Sequence, residues 1–219
     1  MTDGPQPPGS DLPQPQPQPQ PQPLTESDAS PDPFAQFGLW FDAAARSVRV
    51  PEAVAVATAS AEGAPSVRMV LMKSWDGRGF VFHTNYGSRK GRELAENPRA
   101  ALLFHWDPLG RQVRVEGEVE RIAAAESDAH FATRQRGARI GARAAWQSRP
   151  IGSREELDRR VREVAERYAE GDVPRPSWWG GYRLLPHTFE FWQRREDRLH
   201  DRLRYERAGP AWRIERLQP

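Results

Sequence analysis

The sequence predicts a mainly β fold, antiparallel and flanked by helices, and three observations carry that prediction. Short apolar or alternating runs follow one another at Ala53 to Ala59, Val67 to Lys73, Phe80 to Thr84, Ala100 to Trp106 and Gln112 to Val119. Turn signals at Glu62-Gly63, Asp76-Gly77 and Pro108-Leu109-Gly110 fall between them, as in an antiparallel meander. In the last run Val113, Val115 and Val119 alternate with Gln112, Arg114, Glu116 and Glu118, the pattern of a strand with one buried face. A barrel or sandwich follows from this more naturally than a parallel sheet.

The elements can be justified in chain order. Of 219 residues, 11 of the 21 prolines lie before Phe34, within a Pro-Gln repeat that has too little apolar surface to offset the entropy of ordering it. This predicts a disordered or polyproline-like acidic tail over 1–33 and a single domain over 34–219. Phe34, Phe37, Trp40, Phe41 and Ala44 recur at helical spacing, so the first helix docks an aromatic face on the body. A second helix follows Gly87, capped by Ser88, although Gly91 stands where a capping box takes Glu or Gln. Leu94 and Ala95 are its inward candidates, and Asn97-Pro98 ends it. Ser153-Arg154-Glu155-Glu156 is a capping box, opening a structural helix whose face is Leu157, Val161, Val164, Ala165 and Tyr168. Strand character returns at Tyr182 to Leu185, Thr188 to Gln193, Leu199 to Tyr205 and Trp212 to Leu217.

Charge points to an anionic ligand. Asp3, Asp11, Glu26, Asp28 and Asp32 precede Phe34 with no Lys or Arg among them, so the formal +2 of the chain becomes +7 on the remainder. Lys73 and Lys90 are the only lysines among 32 basic residues, and arginine favours planar partners such as phosphate or carboxylate. The absence of cysteine excludes disulfides, thiolate metal sites, iron–sulfur clusters and a catalytic thiol, so redox chemistry would need an organic cofactor or His and carboxylate ligands. No metal is called for. The N-terminus lacks a basic start followed by an apolar core, and no apolar run approaches the roughly 20 residues of a membrane span. The expectation is a cytoplasmic protein with no membrane partner. Nucleic-acid binding is not expected, because the aromatics fall on inward faces rather than between exposed arginines.

Three clusters carry candidate chemistry. Gly87-Ser88-Arg89-Lys90-Gly91 opens a helix, where free N–H groups and the positive dipole end favour an anion. Two cations in that turn are unfavourable without a compensating ligand, which suits phosphate better than a solvated turn. In Arg198-Leu199-His200-Asp201-Arg202 the strand period places Arg198, His200 and Arg202 on one face, suited to an anionic or electron-poor ligand or else to cross-strand ion pairs. Arg68 and Lys73 end a strand at odd separation, so one ligand meets both only if the strand ends or bulges there.

Taken together, RMVLMK (68–73), FVFHTNYGSRK (80–90), RQVRVEGEVER (111–121), RPSWWGGYR (175–183), FEFW (189–192) and RLHDRLRY (198–205) resemble the pyridoxamine (pyridoxine) 5′-phosphate oxidase family. The resemblance covers nearly all of 33–219. It implies an FMN-binding split β-barrel, a homodimer with FMN between subunits and a C-terminal dimerisation and substrate segment over 175–219. It also implies oxidation of pyridoxamine or pyridoxine 5′-phosphate to pyridoxal 5′-phosphate, with O2 reduced to H2O2. Carried over by position, Arg68, Met69, Val70, Leu71, Met72 and Lys73 line the flavin, and His83 and Thr84 sit beside it. Arg89 and Lys90 hold its phosphate, while Gln112, Gln147, Ser148, Trp192 and Arg202 complete the site, some of them from the second subunit. Lys73, His130 and Arg134 meet the substrate; Arg198 and His200 are the catalytic pair, with Arg198 orienting and His200 hydrogen bonding or moving a proton.

Departures from the family pattern concentrate on the substrate side. His130 stands where the family has Tyr, and Ala138 where it has Ser, with Arg136 and Arg139 as candidate replacement donors. Arg194-Arg195 replaces the usual Gly-Gly after Trp192-Gln193. Flavin positions are kept while substrate positions drift, which leaves two alternatives open: a phenazine-type split-barrel oxidase of another reduced aromatic ring, and a non-catalytic flavin- or pyridoxal-phosphate-binding protein.

Overall fold

Six strands close on themselves because the third pairs with both the second and the sixth. The computed structural model describes residues 22–219, and the Pro-Gln stretch before them lies outside the described residues. The strands are β1 (Ala53–Ala59), β2 (Pro65–Asp76), β3 (Gly79–Asn85), β4 (Arg99–Trp106), β5 (Arg111–Arg121), β6 (Trp179–Gln193), β7 (Asp201–Ala208) and β8 (Ala211–Arg216). They run in the order β3-β2-β1-β4-β5-β6-β7-β8, and the added β3–β6 pairing closes the antiparallel barrel. Among the described residues five α-helices accompany them: α1 (Pro33–Ser47), α2 (Arg89–Glu96), α3 (Ala124–Thr133), α4 (Arg136–Ala144) and α5 (Arg154–Arg167).

β6 is the organising strand. The sequence reading divides it at Pro186, but one 15-residue strand runs through, with a register shift opposite Glu116 and Gly117 that accommodates the proline. A Cβ at Gly117 would stand 2.0 Å from the Leu185 carbonyl oxygen, so only glycine lets the two long strands stay paired there. The first half of β6 pairs with β3 and closes the barrel, while the second half pairs with β7 and carries the β7–β8 hairpin away from it. Val54, Val56, Phe80, Phe104, Val113, Val115, Leu184, Phe189 and Phe191 fill the interior. The aromatic face of α1 enters among them as expected, Phe37 lying 4.8 Å from Phe80 and 5.0 Å from Phe104 between ring centroids. On α2, Leu94 faces in as expected, but Ala95 is exposed, and the other buried positions are Lys90, Gly91 and Glu93.

Residues 24–33, expected within the tail, pack on the domain. Leu24 and Ala29 are buried, the Leu24 N–H donates to Asp201 Oδ2 at 3.1 Å, Arg216 pairs with Glu26, and the Tyr205 hydroxyl donates to the Ser30 carbonyl at 2.8 Å. Composition concealed this because a few contacts to β7 and β8 hold a segment that has little apolar surface of its own. Leu24→Ala is expected to destabilise by about 2 kcal/mol, lowering Tm by roughly 4–8 °C in a thermal melt. Among the described residues no helix is long and apolar enough to cross a membrane.

Candidate functional site

A cleft of about 430 Å³ opens between the outer side of β2–β3 and the α3–α4 region. Of the residues expected at the flavin, Met69, Val70, Leu71, Lys73, His83, Thr84, Lys90 and Gln147 line it; of those expected at the substrate, Lys73, His130 and Arg134 do. Asn85, Gly141, Ala142, Ala145 and Trp179 also line it, and none of the lining residues is acidic. Strand alternation separates the RMVLMK run: Met72 faces the barrel interior, whereas Met69 and Leu71 are exposed on the outer face. A register shift between Met72 and Ser74 places Lys73 at a bulge, but Lys73 lines the cleft and Arg68 does not, so the bulge does not bring the two to one site.

Arg68 stands apart from the cleft lining, donating to Thr58 Oγ1 at 2.6 Å and the Val56 carbonyl at 3.2 Å, and facing Glu93. Arg89 pairs with Glu93 at 2.8 Å, so one of the two first-turn cations is already compensated within its own helix. Burial opposes the Glu93 charge, but hydrogen bonds from Ser66, Thr58 and Arg89 and the Arg68 charge outweigh it and hold the carboxyl at about 2. The i,i+4 spacing from Arg89 was the sequence signal for Glu93. Gly91 replaces the capping-box acid because a Cβ there would lie 2.3 Å from the Tyr86 carbonyl oxygen, and the Ser88 hydroxyl alone accepts from the Gly91 N–H at 3.2 Å.

Lys90 is the uncompensated cation. Buried at 6 % exposure, its ammonium donates to Thr84 Oγ1 at 3.0 Å and Gln147 Oε1 at 3.3 Å, both neutral acceptors. Burial, and then the Arg68 charge, push it down to about 8. A buried ammonium among neutral partners at the start of a helix is the arrangement an anionic group relieves.

At the cleft's other end three rings lie nearly parallel. His83 stacks on His130 at 4.1 Å and on Trp179 at 5.2 Å, and the Arg134 guanidinium sits 4.7 Å from the Trp179 centroid. Among the described residues neither ring nitrogen of His83 nor Arg134 Nη1 has a hydrogen-bond partner. The paired glycines of WWGGYR make room for this: a Cβ at Gly181 would meet Ile122 at 2.4 Å and His83 Nε2 at 3.0 Å. Ala138 is exposed on α4 and outside the cleft lining, and neither proposed replacement donor stands in for it. Arg136 donates to the Tyr168 and Gly171 carbonyls, and Arg139 pairs with Asp172. Ser148, exposed and in the left-handed region at φ 68°, also falls outside the lining.

The remaining candidates form a second group. Gln112, Trp192 and Arg202 are cross-strand neighbours on β5, β6 and β7, and His200 packs on Trp192 at 4.5 Å. Arg202 is held by Glu190 at 2.7 Å. His200 Nδ1 accepts from the Arg195 N–H at 3.1 Å, which places the neutral ring's proton on Nε2 as a free donor. The single-face reading of Arg198, His200 and Arg202 does not hold. Asp197 and Arg198 take left-handed φ values of 53° and 60° in a tight turn, so β7 begins only at Asp201 and Arg198 projects from the turn as an exposed side chain. Arg194 and Arg195 are engaged by Asp107 and Asp201. None of this second group lines the cleft.

A family model described as pyridoxamine 5′-phosphate oxidase matches residues 41–168, and one described as the pyridoxine 5′-phosphate oxidase C-terminal dimerisation region matches 179–219. The pyridoxine/pyridoxamine 5′-phosphate oxidase of Rubrobacter xylanophilus is 57 % identical over 197 residues, covering 90 % of this chain and 91 % of that one. That of Bordetella pertussis is 57 % identical over 198 residues, covering 90 % and 93 %. Among solved structures, PhzG from Burkholderia lata in complex with tetrahydrophenazine-1-carboxylic acid superposes with a TM-score of 0.85 at 36 % identity, covering 91 % of this chain and 99 % of that one. A split barrel with these motifs, matched along its length by such relatives, places the chain in the pyridoxamine 5′-phosphate oxidase family.

Proposed function

We propose that this protein oxidises pyridoxamine 5′-phosphate or pyridoxine 5′-phosphate to pyridoxal 5′-phosphate, using FMN and reducing O2 to H2O2. The observation that carries the reading is the carboxylate-free cleft, lined by Lys90, which is buried against Thr84 and Gln147, and by a separate cationic group of Lys73 and Arg134 around His130. Two separate cationic groups fit two phosphates, one on the cofactor and one on the substrate. The chemistry that bound FMN supplies is acceptance of two electrons from the substrate and their transfer to oxygen.

The chain's own residues bind and orient. Lys90 and Arg89 at the α2 start hold the cofactor phosphate, with Glu93, itself paired with Arg68, fixing Arg89. Met69, Val70 and Leu71 give the flavin an apolar wall. The second group completes the site in a homodimer: a twofold arrangement brings Gln112, Trp192, Arg202, Arg198 and His200 of one protomer to the cleft of its partner. An apolar patch on the outer barrel face supports that arrangement. Val67, Met69, Leu71 and Leu103 are all exposed there, and Met69, Ala55 and Leu103 share one row across β2, β1 and β4. His200, with Nδ1 occupied by the Arg195 amide, presents Nε2–H to the substrate as a positioning donor, while Arg198 orients the substrate.

The test is turnover of purified, FMN-loaded protein, following peroxide and aldehyde from both B6 phosphates. Loaded protein without turnover would exclude the oxidase reading. A second substrate class is favoured by one observation, the His130 and Ala138 departures beside the likeness to PhzG, and turnover of a reduced phenazine carboxylate in place of the B6 phosphates would establish it. His200→Asn is expected to retain flavin and lower kcat/KM roughly 10-fold to 100-fold, the effect of one positioned hydrogen bond to a polar reactant. Loss of flavin in that variant would mark the residue as structural instead.

A further inference from the structure

The cleft holds two imidazoles in face contact, and among the described residues none that line it is acidic. His130 lies on α3 with its ring centroid 4.1 Å from that of His83, on β3, at an interplanar angle of 22°. The other groups facing it are Lys73 from β2, Arg134 just beyond α3 and the Trp179 ring from β6. Burial, then Lys73 and Arg134, hold His130 below the ordinary imidazole value. Burial, then His130, Lys73 and Arg134, push His83 down to about 3. Two imidazoles this close do not both carry charge, so the pair has room for one proton at most.

A phosphate dianion entering between Lys73 and Arg134 reverses the balance. It neutralises the two cations that disfavour protonation and adds an acceptor for the imidazolium. Both rings line the cleft, but both ring nitrogens of His83 are buried whereas those of His130 are not among the buried unpaired atoms, so the proton goes to His130. Ala138 contributes no donor, Arg136 and Arg139 bond to Gly171 and Asp172 and lie outside the lining, and His130, which lines the cleft beside Lys73 and Arg134, can add a further hydrogen bond.

Resting on the substrate reading above, we propose that His130 is a proton-linked phosphate ligand, taking up one proton as the phosphorylated substrate binds and tightening phosphate recognition as pH falls. A tyrosine at this position would donate the same hydrogen bond without exchanging a proton.

The experiment is isothermal titration of FMN-loaded protein with 4-deoxypyridoxine 5′-phosphate, a substrate-shaped phosphate that lacks the oxidisable group. Two buffers of different ionisation enthalpy report the protons exchanged, for the parent, His130→Tyr and His130→Gln, with retained flavin reporting that each is folded. The expected result is uptake approaching one proton by the parent beyond that of either variant. The ratio of variant to parent Kd, in which the ligand's own ionisation cancels, should fall by up to roughly 10-fold per unit as pH rises through the window where bound His130 loses its proton. Zero uptake by the parent, or equal uptake by parent and variants, would overturn the proposal. Failure of the flavin-loaded parent to bind the ligand would overturn the substrate reading, and the proposal with it.

Discussion

Replacing Val67 with Glu is expected to yield a folded monomer that no longer retains flavin and turns over at less than about a hundredth of the parent rate. Val67 lies on the outer barrel face at 68 % exposure and does not line the cleft, so the substitution disturbs neither the core nor the walls of the site. In a twofold dimer the new carboxylate enters the apolar interface twice. Burying an unpaired charge carries a penalty of several kcal/mol, and two such events weaken association by on the order of 10³-fold or more. The activity loss follows from geometry, because Gln112, Trp192, Arg202 and His200 stand apart from the cleft of their own protomer. Sedimentation and flavin absorbance measured together decide the matter. Leu103→Glu, on the same face, provides an independent repetition, and a dimeric, yellow, active variant at both positions would refute the shared site.

Lys90→Met separates cofactor binding from folding in the opposite direction. FMN affinity should fall roughly 10-fold to 100-fold through loss of one charge-assisted hydrogen bond, while the flavin-free protein becomes more stable. The second expectation comes from the depressed ammonium. In the flavin-free parent, the folded chain sheds the Lys90 proton at about 8, and the unfolded chain holds it to the ordinary lysine value of 10.5. Between those values the unfolded state binds more protons, so stability rises with pH, by on the order of 3 kcal/mol in all. Below the window the buried charge burdens the fold. Lys90→Met should remove the rise, and saturating FMN should remove it from the parent by keeping Lys90 charged against phosphate. Denaturant melts of flavin-free and flavin-loaded protein across this range measure it. An identical rise in Lys90→Met would assign the titration to another group.

Much of the barrel was legible because half-buried strands print their period on the sequence. Both bounds of β1, Ala53 and Ala59, matched the reading, and β5 extended only slightly beyond the alternating valines. α3 and α4 were not legible: their inward positions are few, Ser127 and Phe131 on one and Ile140 and Ala144 on the other, so neither shows a sustained apolar stripe. The strand face expected at 198–202 failed because left-handed backbone at Asp197 and Arg198 delays β7, and nothing in the residue types demands that conformation.

For the site, the sequence by itself determined the chemistry: which cations, amides and rings are available, and that Ser88 starts a helix carrying Arg89 and Lys90. Tertiary structure decided how those charges are partitioned. Glu93 reaches Arg68 and Arg89 but leaves Lys90 among neutral acceptors, and His130 comes to rest on His83 from a helix 47 positions along the chain. Electrostatic compensation depends on distances between elements remote in sequence, whereas strand period and helix capping act within a few residues. Local pattern therefore reveals the elements and their candidate ligands, and only packing reveals which of those ligands are still seeking a partner.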